Sequence, residues 1–520
     1  MKYKKVFLII LDGLGLGPKN PGNAVLKVGM PYLDSLIGKY PSFSLVAAGL
    51  VVGLPWGSQG NSEVGHSSMG SGRVLVQNWA RINKDIRGGE FFQNPALLKA
   101  VNYAKTNNSA LHFAGSVSAG GVHSHEDHLI TLLDLAKQNG VERIGVHMFT
   151  DGIDTGPNEG IISLKKVSPY IKKAGAKLSS IAGRMYAMDR VENWELTESV
   201  WKIMMGNGNK IENAEKYLKE SYKAGKRDHE IEPACLGDGL PIQQNDAVIF
   251  FNYRNDRMIQ PVSPFAFKDF SSFAREPNPA NIHTTTMTLY KEEFGLDVAY
   301  TPLDIENTIG EIISNNKLKQ WRITETEKEA HVTGFFNGGK MDPWPGEQRF
   351  IVPSIKMKGD EYIKHPEMRL DKVVEKILKV KDDDSSLYIT NFANPDMIGH
   401  TGDIDAGVKA IQITDLTLKN LIPQLIASPD NAVIITADHG NIEEMIDPET
   451  GEKDTQHSTN NVPMIFVGQG LELLGAGEKN LEALSAEAPF GSVIDVASSI
   501  LALLDVKKPK EMVGNSLISI

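Results

Sequence analysis

The alternation of short apolar runs with amphipathic segments of helical period constrains the fold of this chain more than any other feature. Runs of strand length, bounded by glycine and polar residues, lie at Val6–Leu11, Leu111–Gly115, Ile144–Phe149, Leu178–Ile181, Val248–Asn252, Thr284–Leu289, Leu387–Asn391, Val433–Thr436 and Met464–Val467. Amphipathic stretches such as His128–Lys137 and Leu370–Val380 lie between them. Strands that alternate with helices build mainly parallel sheets, so we predict the α/β fold class.

The length of 520 residues predicts more than one domain. Carboxylates and histidines that adjoin apolar runs lie towards both ends of the chain, whereas a set of arginines lies in its middle. We therefore predict a discontinuous metal-binding domain over residues 1–76 and 304–520, with a second α/β domain inserted at 80–299. The junctions are expected near Gln77–Ala80 and Tyr300–Leu303, before a helix around Glu306–Asn315.

Composition excludes several classes of protein. The formal net charge of -11 argues against a nucleic-acid-binding protein, which would carry a basic surface. The single cysteine, Cys235, allows neither an intrachain disulfide nor a cysteine-based zinc site. The run Val6–Leu11 is too short for a signal peptide, and no stretch approaches membrane-spanning length. We expect a cytoplasmic monomer that binds neither nucleic acid nor a membrane.

Candidate metal ligands lie in four segments next to apolar runs. They are Asp12 in LDGLG, Asp396 and His400 in NPDMIGH, Asp438 and His439 in TADHGN, and His457 in HSTNNVP. In a parallel sheet the carboxyl ends of the strands face one crevice, so these segments are expected to converge. Carboxylates and imidazoles together suit Mn²⁺ or Zn²⁺. Six such groups are too many for one ion with an open position, which predicts two ions about 4 Å apart.

The candidate nucleophile is Ser62, in the segment GNSEVGHSSMGSG. A serine followed by Glu and an apolar residue is also typical of a helix N-cap. The two roles are compatible, because backbone N–H groups at a helix start favour anions. Ser67 and Ser68 are rivals that spacing alone does not exclude.

On these motifs the chain resembles the cofactor-independent phosphoglycerate mutases of the alkaline phosphatase superfamily. Further matching motifs are VHSHEDH, DGID, GRMYAMDR, FNYRNDR and TEKEAHVT, in the family's order over essentially the whole chain. The resemblance implies an alkaline-phosphatase-like domain with one metal site of Asp396, His400 and His457 and another of Asp12, Ser62, Asp438 and His439. It also implies Mn²⁺ as the commonest ion, with Zn²⁺, Co²⁺ and Mg²⁺ as alternatives, and no bisphosphoglycerate.

The middle of the chain supplies the candidate substrate contacts. Arg184, Arg190, Arg254 and Arg257 follow apolar runs, and their planar guanidinium groups match the carboxylate and phosphate of a phosphoglycerate. By the resemblance, Lys328 contacts phosphate, and His123 and Asp154 handle protons. A third metal site at His123, His125 and His128 is the alternative for that segment.

One position departs from the family pattern. The family's DGRD motif reads DGID here, with Ile153 where a substrate-contacting arginine is expected. We expect another basic group near the strand ends of the inserted domain to compensate. The alternatives are a weaker substrate contact, a pocket repacked around isoleucine, or a different phosphorylated substrate.

The resemblance implies an isomerase that interconverts 3-phosphoglycerate and 2-phosphoglycerate in glycolysis and gluconeogenesis through a phosphoserine at Ser62. A metal-dependent phosphatase would share the ligand set but would let water attack the phosphoserine. A phosphomutase for another small phosphorylated substrate is the nearer alternative. A non-catalytic binding protein is disfavoured, because all seven metal-site residues implied by the family are present.

Overall fold

The structure is a computed structural model that describes residues 3–355, 359–448, 450–473 and 479–518. It consists of two compact units. Unit 1 comprises the chain up to Gln77 and from Asp304 onward, and unit 2 comprises Asn78–Leu303. No helix among the described residues is both long and apolar enough to cross a membrane.

The strands follow the apolar runs of the sequence. In chain order they are β1 Lys5–Leu11, β2 Ser42–Val46, β3 Leu111–Ser116, β4 Ile144–Thr150, β5 Lys177–Gly183, β6 Asn209–Ile211, β7 Ala234–Leu236, β8 Ala247–Phe250, β9 His283–Thr288, β10 Asp297–Tyr300, β11 Gln320–Glu325, β12 Glu347–Val352, β13 Leu387–Phe392, β14 Asn431–Thr436, β15 Val462–Gly468 and β16 Gly491–Ser492. Each predicted run therefore corresponds to a strand, with ends that differ by at most two residues.

The helices occupy most of the connections between strands. In chain order they are α1 Ala24–Val28, α2 Pro31–Lys39, α3 Ser62–Ser71, α4 Asn78–Gly88, α5 Pro95–Thr106, α6 Glu126–Gln138, α7 Gly160–Ala174, α8 Arg184–Ala187, α9 Trp194–Met204, α10 Ala214–Lys223, α11 Ile259–Ala266, α12 Ile309–Asn315, α13 Leu370–Val380, α14 Asn394–Gly399, α15 Ile404–Leu425, α16 Leu481–Ser485 and α17 Asp495–Leu503. The predicted amphipathic stretches correspond to α6, α12 and α13.

Unit 1 is built on a sheet with the strand order β12-β11-β13-β1-β14-β15-β2-β16. The five strands from β12 to β14 are parallel, and β15 is antiparallel to both of its neighbours. The central strand β1 is buried over nearly its whole length because helices cover both faces of a parallel sheet. Its sequence KVFLIIL accordingly shows a continuous apolar run rather than alternation.

Unit 2 is built on a separate sheet with the order β10-β9-β8-β3-β4-β5-β7-β6. All neighbouring pairs are parallel except β5 with β7. Successive residues of β3 enter different apolar clusters, Phe113 on one face and Ala114 on the other, so this sheet is also covered twice. The predicted α/β class with mainly parallel sheets is confirmed.

Candidate metal centre and substrate-binding site

The metal candidates of unit 1 lie at the carboxyl ends of adjacent parallel strands. Asp12 directly follows β1, Asp396 lies in α14 just after β13, and Asp438 and His439 follow β14. Strands β13, β1 and β14 are neighbours in register, so their ends deliver these side chains to one place. The expected convergence of the three segments is present in the structure.

The first group of ligand atoms belongs to Asp396, His400 and His457. The Nε2 atoms of His400 and His457 lie 3.4 and 3.5 Å from Asp396 Oδ1, and 3.1 Å from each other. The Nδ1 atom of His400 lies 2.8 Å from the carbonyl oxygen of Thr455, and that of His457 lies 2.9 Å from the carbonyl oxygen of Gly60. Because a carbonyl only accepts, each Nδ1 carries the proton and each Nε2 lone pair points into the group.

The second group surrounds Ser62. Its hydroxyl oxygen lies 2.9 Å from His439 Nε2 and 3.3 Å from Asp12 Oδ1. His439 Nε2 is also 3.7 Å from Asp12 Oδ1 and 3.4 Å from Asp438 Oδ2. Asp12, Asp438 and His439 are fully buried, and Asp438 Oδ2 has no hydrogen-bond partner among the described residues. The four residues that the resemblance implied for one metal site therefore lie together.

Lys328 lies between the two groups, in a short turn after β11. Its ammonium donates to Asp12 Oδ1 at 2.6 Å, to Asp396 Oδ2 at 2.7 Å and to Ser62 Oγ at 2.9 Å. Burial disfavours the charged ammonium of Lys328. The negative charges of Asp12 and Asp396 outweigh this effect and raise the pKa of Lys328 well above its usual value. The ammonium is therefore a permanent positive charge against the serine hydroxyl.

The charge of the cluster fits divalent cations. Three buried carboxylates, Asp12, Asp396 and Asp438, face one ammonium, so negative charge is in excess. Burial and the proximity of Asp438 raise the pKa of Asp12, so a cation bound beside this carboxylate would favour its charged form. Convergent imidazole lone pairs, and an Asp438 oxygen that accepts no hydrogen bond from the described residues, are the donors that a transition-metal ion takes.

Ser62 is the first residue of α3, and the N-cap is Asn61 instead. The Asn61 side chain accepts from the backbone N–H of Val64 at 2.9 Å, which leaves the Ser62 hydroxyl free for the cluster. The interpretation of Ser62 as the cap is therefore wrong by one residue. The rival Ser68 is also buried, but its hydroxyl has no hydrogen-bond partner among the described residues.

In unit 2, Arg184 links the candidate proton-handling residues. It begins α8 immediately after β5, while His123 and Asp154 lie in the connections after β3 and β4. Its guanidinium donates to Asp151 Oδ1 at 2.6 Å and to Asp154 Oδ2, and its Nη2 lies 3.0 Å from His123 Nε2. Burial and Arg184 lower the pKa of His123 to about 4, so this imidazole is neutral near pH 7.

Two of the other candidate arginines of unit 2, Arg190 and Arg254, pair with Asp256. Arg190 Nη1 donates to Asp256 Oδ2 at 2.7 Å, and Arg254 Nε donates to Asp256 Oδ1 at 3.1 Å. Both arginine side chains are half-exposed, so their remaining donors are accessible to an anion. Arg257 uses Nη1 to reach the carbonyl oxygen of Met188 at 3.2 Å.

The exposure of the Ile153 side chain decides one of the alternatives for this position. The Ile153 side chain is 60% exposed, so the hypothesis of a pocket repacked around isoleucine is wrong.

The histidines considered for a third metal site have other contacts. The His125 side chain caps α6 by accepting from the backbone N–H of Asp127, and His128 Nε2 lies 3.3 Å from Asn83 Oδ1. Among the described residues, no group of converging ligand atoms includes His123, His125 and His128, which disfavours the third metal site.

Sequence reasoning missed several polar residues that contact the predicted ones. They are His66, Asp151, Asp256, Asn391 and Asn441. Each lies inside or next to a motif used for the resemblance, such as GNSEVGH for His66 and FNYRNDR for Asp256. The available signal was therefore position within a motif, since spacing alone does not separate a ligand from its hydrogen-bond partner.

Comparisons with known proteins agree with this arrangement. A family model described as the BPG-independent PGAM N-terminus matches residues 82–292. The chain is 42% identical over its full length to the complete 2,3-bisphosphoglycerate-independent phosphoglycerate mutase of Clostridium botulinum. It is 40% identical to 2,3-bisphosphoglycerate-independent phosphoglycerate mutase 1 of Methanosarcina acetivorans, with 99% of this chain and 98% of that protein covered.

A solved structure gives the same result. The phosphoglycerate mutase of Leishmania mexicana, determined at low cobalt concentration, superposes with a TM-score of 0.72 and 26% identity. The match covers 99% of this chain and 98% of that one. Since full-length relatives share about two-fifths of their residues with it, the chain belongs to the family of 2,3-bisphosphoglycerate-independent phosphoglycerate mutases.

Proposed function

We propose that this protein interconverts 3-phosphoglycerate and 2-phosphoglycerate, with Ser62 carrying the phosphoryl group between the two hydroxyl positions. The observation that carries the mechanism is the set of contacts at the Ser62 hydroxyl, where Lys328 donates at 2.9 Å and His439 Nε2 lies at 2.9 Å. A serine that is buried among charged groups at a helix start is suited to attack phosphorus and to hold the resulting anion.

Two divalent ions, most suitably Mn²⁺, would be held by Asp396, His400 and His457 and by Asp12, Ser62, Asp438 and His439. Bound there, they would supply Lewis acidity that would lower the pKa of the serine hydroxyl and would neutralise charge on the phosphoryl group. The ammonium of Lys328 contributes a further fixed charge against the transferring group. No bisphosphoglycerate is required, because the phosphoryl group stays on Ser62 between the two half-reactions.

The arginines of unit 2 hold the glycerate. Arg190 and Arg254 have donors left over after pairing with Asp256, and guanidinium groups match a carboxylate with two parallel hydrogen bonds. Retention of the alcohol after phosphoryl transfer is what distinguishes a mutase from a phosphatase. We assign this retention to Arg184, Arg190, Arg254 and Arg257.

Asp154 is the better candidate for the base that removes the proton of the attacking hydroxyl. The one basic lone pair of neutral His123, on Nε2, faces an N–H of Arg184 at 3.0 Å, whereas Asp154 uses only Oδ2 in its contact with Arg184. The Asp154 side chain is more exposed, at 19% against 6% for His123. We infer that Asp154 accepts the proton while His123 and Arg184 hold the carboxylate in place.

The direct test follows the fate of the phosphoryl group. Purified protein is incubated with Mn²⁺ and 3-phosphoglycerate, and the products are followed by ³¹P NMR. Appearance of 2-phosphoglycerate without added bisphosphoglycerate is the expected result. Release of inorganic phosphate as the main product would identify a phosphatase, and no turnover of either kind would point to another phosphorylated substrate.

Ile153→Arg tests whether other basic groups compensate for the missing guanidinium. We expect wild-type kcat/KM for 3-phosphoglycerate above about 10⁴ M⁻¹s⁻¹, and a KM in Ile153→Arg that is lower by at most about threefold. An arginine at this 60% exposed position has space, but an exposed ionic contact contributes less than about 1 kcal/mol.

The matched control is Ile153→Met, which adds length without charge and should leave KM unchanged. A drop in KM of tenfold or more in Ile153→Arg alone would mean that the guanidinium is simply missing. A wild-type kcat/KM far below the stated range, with no gain from arginine, would instead favour a different substrate.

A further inference from the structure

His66 is a buried histidine next to the catalytic cluster that the proposed mechanism does not use. It lies on α3 one turn after Ser62 and is fully buried. Its Nδ1 atom lies 2.8 Å from the backbone carbonyl oxygen of Ser62 and 3.2 Å from Asp438 Oδ2. Its Nε2 atom lies 3.1 Å from the side-chain nitrogen of Asn391.

These contacts fix the protonation of the ring. The carbonyl oxygen of Ser62 only accepts, so His66 Nδ1 carries a proton and donates it to that carbonyl, while Asp438 Oδ2 lies 3.2 Å from the same nitrogen. The Asn391 side-chain nitrogen only donates, so His66 Nε2 is the unprotonated acceptor. Both ring nitrogens are thus engaged, and His66 has no lone pair free for a metal ion.

Asn391 continues the chain to a second carboxylate. Its side-chain nitrogen has two hydrogens, and it also donates to Asp12 Oδ2. The reversed amide would place its oxygen against the Asp12 carboxylate, so the negative charge of Asp12 selects the orientation observed. This orientation has an energetic cost, because it leaves Asn391 Oδ1 buried without a hydrogen-bond partner among the described residues.

We propose that His66 and Asn391 are a positioning pair that holds the carboxylates of Asp12 and Asp438 at the angle required for one of the two metal ions. The inference rests on the proposed function, because those carboxylates are its ligands for the ion beside Ser62. The pair lies between them, with a 3.2 Å polar contact from His66 to Asp438 and hydrogen bonds from the Asn391 amide to His66 and Asp12. Outer polar partners of this kind orient metal ligands, and their loss typically weakens binding 10- to 100-fold.

The experiment titrates Mn²⁺ alone into metal-free protein by calorimetry and reads the affinity of each ion separately. We expect His66→Ala and Asn391→Ala each to weaken one of the two ions about tenfold or more. The ion held by Asp396, His400 and His457 should keep its affinity. The double variant should bind about as weakly as the worse single variant, because either substitution breaks the same chain.

Two variants guard against a purely structural effect. Ser68→Ala is the matched control, since it alters a buried α3 side chain whose hydroxyl has no hydrogen-bond partner among the described residues, and both affinities should remain at the wild-type level. His66→Asn keeps an N–H donor near the Nδ1 position. On a logarithmic scale, it should recover at least half of the Mn²⁺ affinity that His66→Ala loses. If His66→Ala does not fold, Asn391→Ala tests the same chain from its other end.

The proposal is overturned if either single variant keeps both affinities within threefold of wild type, if both ions weaken equally, or if the losses add in the double variant. Wild-type protein reports separately on the proposed function. Absence of mutase activity or of a second ion in the wild type would contradict that function, whereas an active two-ion wild type with unaffected variants contradicts only the positioning pair.

Discussion

Ser62→Ala should lower mutase turnover by roughly 10⁴-fold or more while two Mn²⁺ ions still bind. The hydroxyl is the atom that attacks phosphorus in the proposed mechanism, and alanine offers no replacement. The other three residues proposed for the nearer site, Asp12, Asp438 and His439, remain after the substitution. The measurements are steady-state kinetics with 3-phosphoglycerate and metal content by elemental analysis.

Ser68→Ala is again the suitable control, because it removes from the same helix a buried hydroxyl that has no hydrogen-bond partner in the part of the chain that the structure describes. It should retain near-wild-type turnover. Mass spectrometry of wild-type protein quenched during turnover should place a phosphoryl group on the peptide that contains Ser62, and the Ser62→Ala protein should lack it. Substantial turnover by Ser62→Ala, or a phosphopeptide elsewhere, would remove Ser62 from the mechanism.

Much of the ligand cluster could be predicted from the sequence because it depends on strand ends. Asp12, Asp396 and Asp438 each follow a recognisable apolar run, and the carboxyl ends of parallel strands necessarily lie along one edge. The strands themselves were predictable for the same reason, since doubly covered strands have continuous apolar sequences. Topology therefore brought these carboxylates together without any knowledge of side-chain contacts.

The hydrogen bonds that orient the ligands could not be predicted in the same way. The carbonyl oxygens of Gly60 and Thr455 fix the rings of His457 and His400, and any residue type supplies a carbonyl. A sequence therefore carries no mark of these contacts. The link from His66 through Asn391 to Asp12 is similar, because it joins residues that are far apart in the chain.

The environment of individual side chains was also beyond sequence reasoning. Asn61 rather than Ser62 caps α3, although both residue types are good caps, and the choice depends on which backbone dihedrals the loop adopts. Ile153 could have been buried or exposed, and only the three-dimensional structure places it at the surface. Asp256 was missed because an aspartate beside arginines in a sequence is typical of an ordinary surface ion pair.

Removal of divalent ions should abolish activity, with a loss of about 10³-fold or more, and added Mn²⁺ should restore it. Without cations, the ammonium of Lys328 balances only part of the negative charge of the buried carboxylates of Asp12, Asp396 and Asp438. The experiment dialyses the protein against EDTA, confirms metal removal by elemental analysis, and measures activity as Mn²⁺ is returned. Full activity in verified metal-free protein would contradict the two-metal mechanism.

A ligand variant and its control make the metal prediction specific. His457→Gln removes one convergent nitrogen and should raise the Mn²⁺ concentration for half-activation about tenfold or more. His365→Gln is the matched control, because His365 is an exposed histidine of the same unit whose ring pairs with Glu367. Equal effects of the two substitutions would show that the activating Mn²⁺ is not bound by the cluster that contains His457.

Proton competition should make that Mn²⁺ requirement depend on pH. A metal ion binds the neutral imidazole, so a ligand is lost as the pH falls through its pKa. Burial opposes the charged form of His400, but its contact with Asp396 outweighs burial and raises the pKa above the usual value of about 6.5. The Mn²⁺ concentration for half-activation should therefore rise several-fold between about pH 8 and pH 6. His400→Gln should flatten this rise while weakening Mn²⁺ at every pH, and an unchanged pH dependence in that variant would assign the competing proton to another group.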